Sequence, residues 1–65
     1  MLILNSPSYI ASLVQRPVKE VWTVTEALGI KPVAIINGVA HFDREQTEAI
    51  EVAFAAAAAE VASDE

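Results

Sequence analysis

The apolar positions of this chain fall into short blocks of different period, and each block predicts an element. "MLILN" is an unbroken apolar run closed by Asn5 and reads as a short strand or an apolar arm. In "SPSYIASLVQR", Tyr9, Ile10, Leu13 and Val14 return at near-helical spacing, which predicts a short helix of about two turns. Ser6 can cap it with Pro7 at the first helical position, or Ser8 can cap it slightly later. Pro17 ends that helix and suits the first position of the next. In "VKEVWTVTEAL", Val18, Val21, Trp22, Thr25 and Leu28 share one side and Lys19, Thr23 and Glu26 another, so a second helix is expected over 17–28. Three of the residues in 18–28 are Val and two are Thr, which weakens helix propensity and keeps a strand over "VWTVT" as the competing reading. Gly29 suits a helix C-terminus and Pro32 blocks continuation.

The period then changes. "VAIINGVAHF" reads as a hairpin over 33–42, because Asn37 and Gly38 both tolerate the left-handed dihedrals of a type I′ turn. A two-residue loop sets Ile36 opposite Val39, Ile35 opposite Ala40, Ala34 opposite His41 and Val33 opposite Phe42. Alternation puts Val33, Ile35, Ala40 and Phe42 on the expected core face, and Ala34, Ile36, Val39 and His41 on the other. A long helix follows over 43–62. Asp43 and Gln46 have capping-box spacing, Glu45 and Glu48 suit the positive end of the helix dipole, and Ile50, Phe54, Ala57 and Val61 form a stripe. The Ala55–Ala59 run forms helix readily but offers little bulk for a core.

Composition narrows the function classes. Sixty-five residues make one domain, 1–65, able to bury only ~60% of its unfolded surface. The long helix exceeds what so small a body covers, which points to self-association. No Cys is present, so disulfides and cysteine-ligated zinc are ruled out, and one His is thin material for a metal site. No apolar run approaches a membrane span, and "MLIL" lacks the length and basic lead of a signal peptide, so a cytoplasmic protein without membrane contact is expected. The formal net charge is −5 and unevenly placed. Residues 1–42 carry Arg16, Lys19 and Lys31 against Glu20 and Glu26. Residues 43–65 carry Arg44 against Asp43, Glu45, Glu48, Glu51, Glu60, Asp64 and Glu65. Contact with nucleic acid would therefore fall to the front two-thirds.

The pieces "YIASLVQRPVKEVWTVTEALGIKP" and "INGVAHFDREQTEAI" together resemble the small winged helix-turn-helix domains of the MerR and excisionase-like group. The likeness covers residues 6–52. It implies a mainly α fold with a small antiparallel β-hairpin, and a DNA-binding regulator of phage or mobile-element type. It also implies that the second helix enters the major groove and the wing lies near the phosphates. Onto this sequence it maps Arg16, Lys19, Thr23 and Glu26 at the helix, and Asn37 and Gly38 at the wing tip. The chain departs from the group in carrying one Lys and two Glu on that helix, and no Lys or Arg in the wing.

Other residues carry two readings each. Arg44 can pair with Glu48 at i,i+4 or reach a phosphate beside the wing. Trp22 and Tyr9 can pack on the core or anchor an interface, and His41 can be a solvated ring or meet a phosphate. Arg16 and Lys19 flank Pro17 and can form a basic pair, with Lys31 further away. Ile36 and Val39 are apolar at an outward hairpin tip, which favours a protein partner there. The partners expected are therefore double-stranded DNA, bound by a dimer or oligomer, or alternatively another protein or a second copy on the same scaffold. The interface candidates are Ile50, Phe54, Ala57, Val61, Ile36 and Val39. No nucleophile–base set, phosphate loop or apolar carboxylate pair stands out, so neither enzymatic activity nor a cofactor is expected.

Overall fold

Ser6 starts the first helix. Its hydroxyl accepts from the Tyr9 amide at 3.2 Å, Pro7 takes the first helical position, and α1 runs Pro7–Val14. The computed structural model describes residues 3–63, with side chains described through residue 58. Gln15 closes α1 in the left-handed region at φ 56°, and the Arg16 amide donates back to the Ala11 carbonyl at 3.1 Å. Pro17 stands at the cap rather than inside α2, which spans Val18–Leu28. "VWTVT" is thus helical, because Val21 and Thr25 gain burial on one side that outweighs their weak propensity. Gly29, at φ 70°, ends α2 with its amide bonded to Glu26 and Thr25 carbonyls.

The hairpin pairs β1 (Ala34–Ile36) with β2 (Val39–His41) in the expected register: Ala34 with His41, Ile35 with Ala40, Ile36 with Val39. Asn37 and Gly38 turn the chain with φ of 52° and 77°. The expected Val33–Phe42 pair does not form. The Val33 amide donates to the His41 carbonyl at 3.0 Å, so Val33 and Ala34 both oppose His41, as in a β-bulge. Phe42 pairs instead with Asn5. The two residues exchange both backbone hydrogen bonds at 2.8 Å, which ties the N-terminal arm to the chain just past the end of β2. The arm's Met1 and Leu2 lie outside the described residues.

The last helix, α3, spans Arg44–Ser63 and opens with a full capping box. Asp43 Oδ1 accepts from the Gln46 amide at 2.8 Å, and Gln46 Oε1 accepts from the Asp43 amide at 3.2 Å. The same Gln46 side chain donates from Nε2 to the Lys31 carbonyl at 2.6 Å, tying the connector before β1 to the base of α3.

Ile10, Val21, Phe42 and Ile50 form the fully buried core, one from α1, one from α2, one from the end of the hairpin and one from α3. Thr25 joins them because its hydroxyl donates to the Trp22 carbonyl at 2.8 Å, and among the described residues no buried side-chain polar atom lacks a partner. Three helices and a small antiparallel hairpin are arranged in winged helix-turn-helix topology.

The expected core face of the hairpin needs correction. Phe42 is buried, but Val33 is 50% exposed and Ile35 is 70% exposed. Burial does not alternate along the strands but falls off toward the turn: Ala34, Ala40 and His41 are half-buried, while Ile35, Ile36 and Val39 are exposed, so only the base of the hairpin meets the core. Val18 and Leu28, placed on the packing side of α2, are likewise exposed near the two ends of that helix.

Candidate nucleic-acid interface

At 100° per residue, Lys19, Thr23 and Glu26 lie within one narrow sector of α2, opposite buried Val21 and Thr25. All three are exposed and no element covers them. The Thr23 hydroxyl donates to the Lys19 carbonyl at 3.0 Å, which leaves its lone pairs to accept. Trp22 flanks this sector on one side, 39% exposed, with its ring edge-on to Phe42 at a centroid separation of 6.0 Å. It thus braces the helix on the hairpin base while presenting part of its ring to solvent. Tyr9 is exposed on α1.

Arg16 sits in the turn before α2 but is not free. Its Nε and Nη2 donate to Glu20 Oε1 at 3.1 and 2.8 Å, so the basic pair expected with Lys19 is partly neutralised. Arg44 takes its i,i+4 option and meets Glu48 Oε1 at 3.3 Å, with both side chains largely in solvent. Among the described residues, Lys19 and Lys31 form no salt bridge. Pro17 gives α2 no side-chain cap, and the Glu20 amide turns back to the Pro17 carbonyl at 2.9 Å, which leaves the Val18 and Lys19 amides at the open end of the helix.

Asn37 and Gly38 stand exposed at the hairpin tip, with Ile36 and Val39 exposed behind them. His41 is half-buried, and its Nδ1 lies 2.8 Å from the Val39 carbonyl, a contact that calls for a proton on Nδ1. Among the described residues no cluster of three metal-ligating side chains occurs, and no described helix is long and apolar enough to cross a membrane.

The interface candidates separate by position. Ile50 is wholly buried and belongs to the core of the single chain. Phe54 is half-buried and Ala57 exposed, and both line a groove of about 570 Å³ with Val14, Val24 and the Arg16–Glu20 pair. The Val61 side chain lies outside the described residues. The groove runs along the flank of α2 opposite Trp22, a feature that the spacing along each helix did not announce, because it arises between α1, α2 and α3.

No family model matches this chain, and no curated protein or solved structure matches it either.

Proposed function

We propose that this domain is a small DNA-binding regulator of the excisionase-like kind, engaging duplex DNA with α2 and using the hairpin as a wing. The observation that carries the reading is the uncovered Lys19–Thr23–Glu26 sector of α2, held out by a three-residue turn and flanked by the hairpin base. Lys19 and the open first-turn amides supply phosphate contacts, Thr23 and Glu26 offer acceptors for base edges, and Asn37 reaches from the wing tip. Arg44, at the start of α3, joins them when a phosphate competes for its pairing with Glu48. With so few cations, a single copy binds weakly, and two copies on adjacent half-sites are required for useful affinity. The test is fluorescence anisotropy with random and operator-like duplexes over a salt series. The reading predicts binding that falls steeply with salt and is lost in Arg16→Ala/Lys19→Ala. Wild-type binding by that double variant overturns it.

One observation favours a second reading, a protein-interaction module. The groove lined by Phe54 and Ala57 is mostly apolar, and the apolar hairpin carries no basic side chain. On this reading Phe54→Asp abolishes an assembly that forms without DNA.

A further inference from the structure

Among the described residues, the two-stranded sheet has no third strand on either outer edge. The N-terminal arm meets the hairpin only past the end of β2, through the paired backbone of Asn5 and Phe42. Along β1, no described strand pairs with the outer edge. The register makes Ile36–Val39 and Ala34–His41 the hydrogen-bonded pairs, so the N–H and C=O of Ile35 point away from β2 toward that open edge. Ile35 is also the most exposed large apolar residue described, with Val33, Ile36 and Val39 exposed around it. Open strand edges are commonly blunted by Lys, by a Pro within the strand, or by a covering element. β1 is short and carries the bulge at Val33, but residues 33–42 contain no charged side chain and no Pro to oppose a second strand.

We propose that β1 is a self-association edge, across which two copies of the chain pair antiparallel about a two-fold axis at Ile35. The pairing sets Ile35 against Ile35 and Ala34 against Ile36 of the second copy, and turns two hairpins into one four-stranded sheet. A second copy is the fitting occupant for two reasons. The edge is self-complementary in this register, with an apolar residue at every pair, as a two-fold interface requires. Electrostatics points the same way. The chain carries a net charge of −5, with Glu45, Glu48 and Glu51 exposed on α3, whereas the hairpin is uncharged. Two like-charged copies meet least repulsion when they approach through this neutral pole. The interface is separate from the groove lined by Phe54 and does not depend on α2 binding DNA.

The test is sedimentation equilibrium of the full chain without DNA, from micromolar to millimolar concentration, on wild type, Ile35→Lys, Ile35→Val and Phe54→Asp. The wild type, Ile35→Val and Phe54→Asp proteins should shift from monomer to dimer as concentration rises. Ile35→Lys opposes two like charges at the axis and should raise the dissociation constant at least tenfold. Because Ile35 is mostly in solvent, circular dichroism should show Ile35→Lys as folded as wild type. Amide exchange should show the Ile35 N–H protected at high concentration and unprotected at low. A wild type that stays monomeric throughout overturns the proposal. So does a dimer that survives Ile35→Lys but is lost in Phe54→Asp, which would place the second copy in the groove.

Discussion

Asn5 Nδ2 donates to Thr47 Oγ1 at 2.9 Å, joining the N-terminal arm to the first turn of α3 across a separation of 42 residues. The Thr47 hydroxyl in turn donates to the Asp43 backbone carbonyl at 2.8 Å, so one buried side chain serves the arm and the helix start together. Thr47→Val keeps the volume but strands the Asn5 amide. It should cost about 1–2 kcal/mol in urea unfolding, while Asn5→Ala costs about 1 kcal/mol. In a double-mutant cycle the two losses should be less than additive. Additive losses would show that the bond does not form in solution.

Phe42 is the residue on which hairpin, arm and helices converge. It is fully buried, its backbone pairs with Asn5, and its ring meets Trp22 edge-on. Phe42→Ala should cost about 3–5 kcal/mol. In a domain this small that is most of the available stability, so the thermal transition should be lost or fall below room temperature, with the Trp22 emission shifted to that of a solvated indole.

Gln15 holds a left-handed backbone at the end of α1 without the freedom of glycine. Gln15→Gly should therefore stabilise the domain by about 0.5–1 kcal/mol, the relief of left-handed strain exceeding the added entropy of the unfolded chain. A lower melting temperature in this variant would count against the turn geometry between α1 and α2.

Lys19 faces solvent and forms no salt bridge among the described residues. If it meets a phosphate, Lys19→Ala should weaken duplex binding across all sequences and lower the slope of log affinity against log salt by about one. An unchanged slope would remove Lys19 from the interface.

Glu20 restrains Arg16 through two donors to one oxygen. Glu20→Gln should release that guanidinium and strengthen duplex binding several-fold, with stability changed by less than about 0.5 kcal/mol because the pair is partly in solvent. Weaker binding in this variant would mean that the ion pair positions Arg16 rather than occupying it.

Much of the fold was legible in short range. Ser6–Pro7, Gly29, Asn37–Gly38 and the Asp43–Gln46 pair are local signals whose physics acts within four residues, and each marks the boundary or turn it announced. The three hairpin pairs nearest the turn followed from the loop length, but the fourth, Val33 with Phe42, gave way to the bulge. What escaped was longer in range or dependent on three-dimensional extent. Nothing in "MLILN" names Phe42 and Thr47 as the partners of Asn5. Alternation assigned Ile35 to the packing face, but it carries no information about how far the hairpin outruns the helices. Of the candidate site, the exposed sector of α2 was readable from helical spacing. The capture of Arg16 by Glu20 had a signal too, a four-residue spacing, but Pro17 between them obscured it by breaking the helix in which such pairs are usually counted.

Gln46 grips the Lys31 carbonyl with one end of its amide and the Asp43 amide with the other. The connector leading into the hairpin is thereby bolted to the root of a rod that extends about 30 Å. One side chain thus sets the spacing between the hairpin connector and the start of α3.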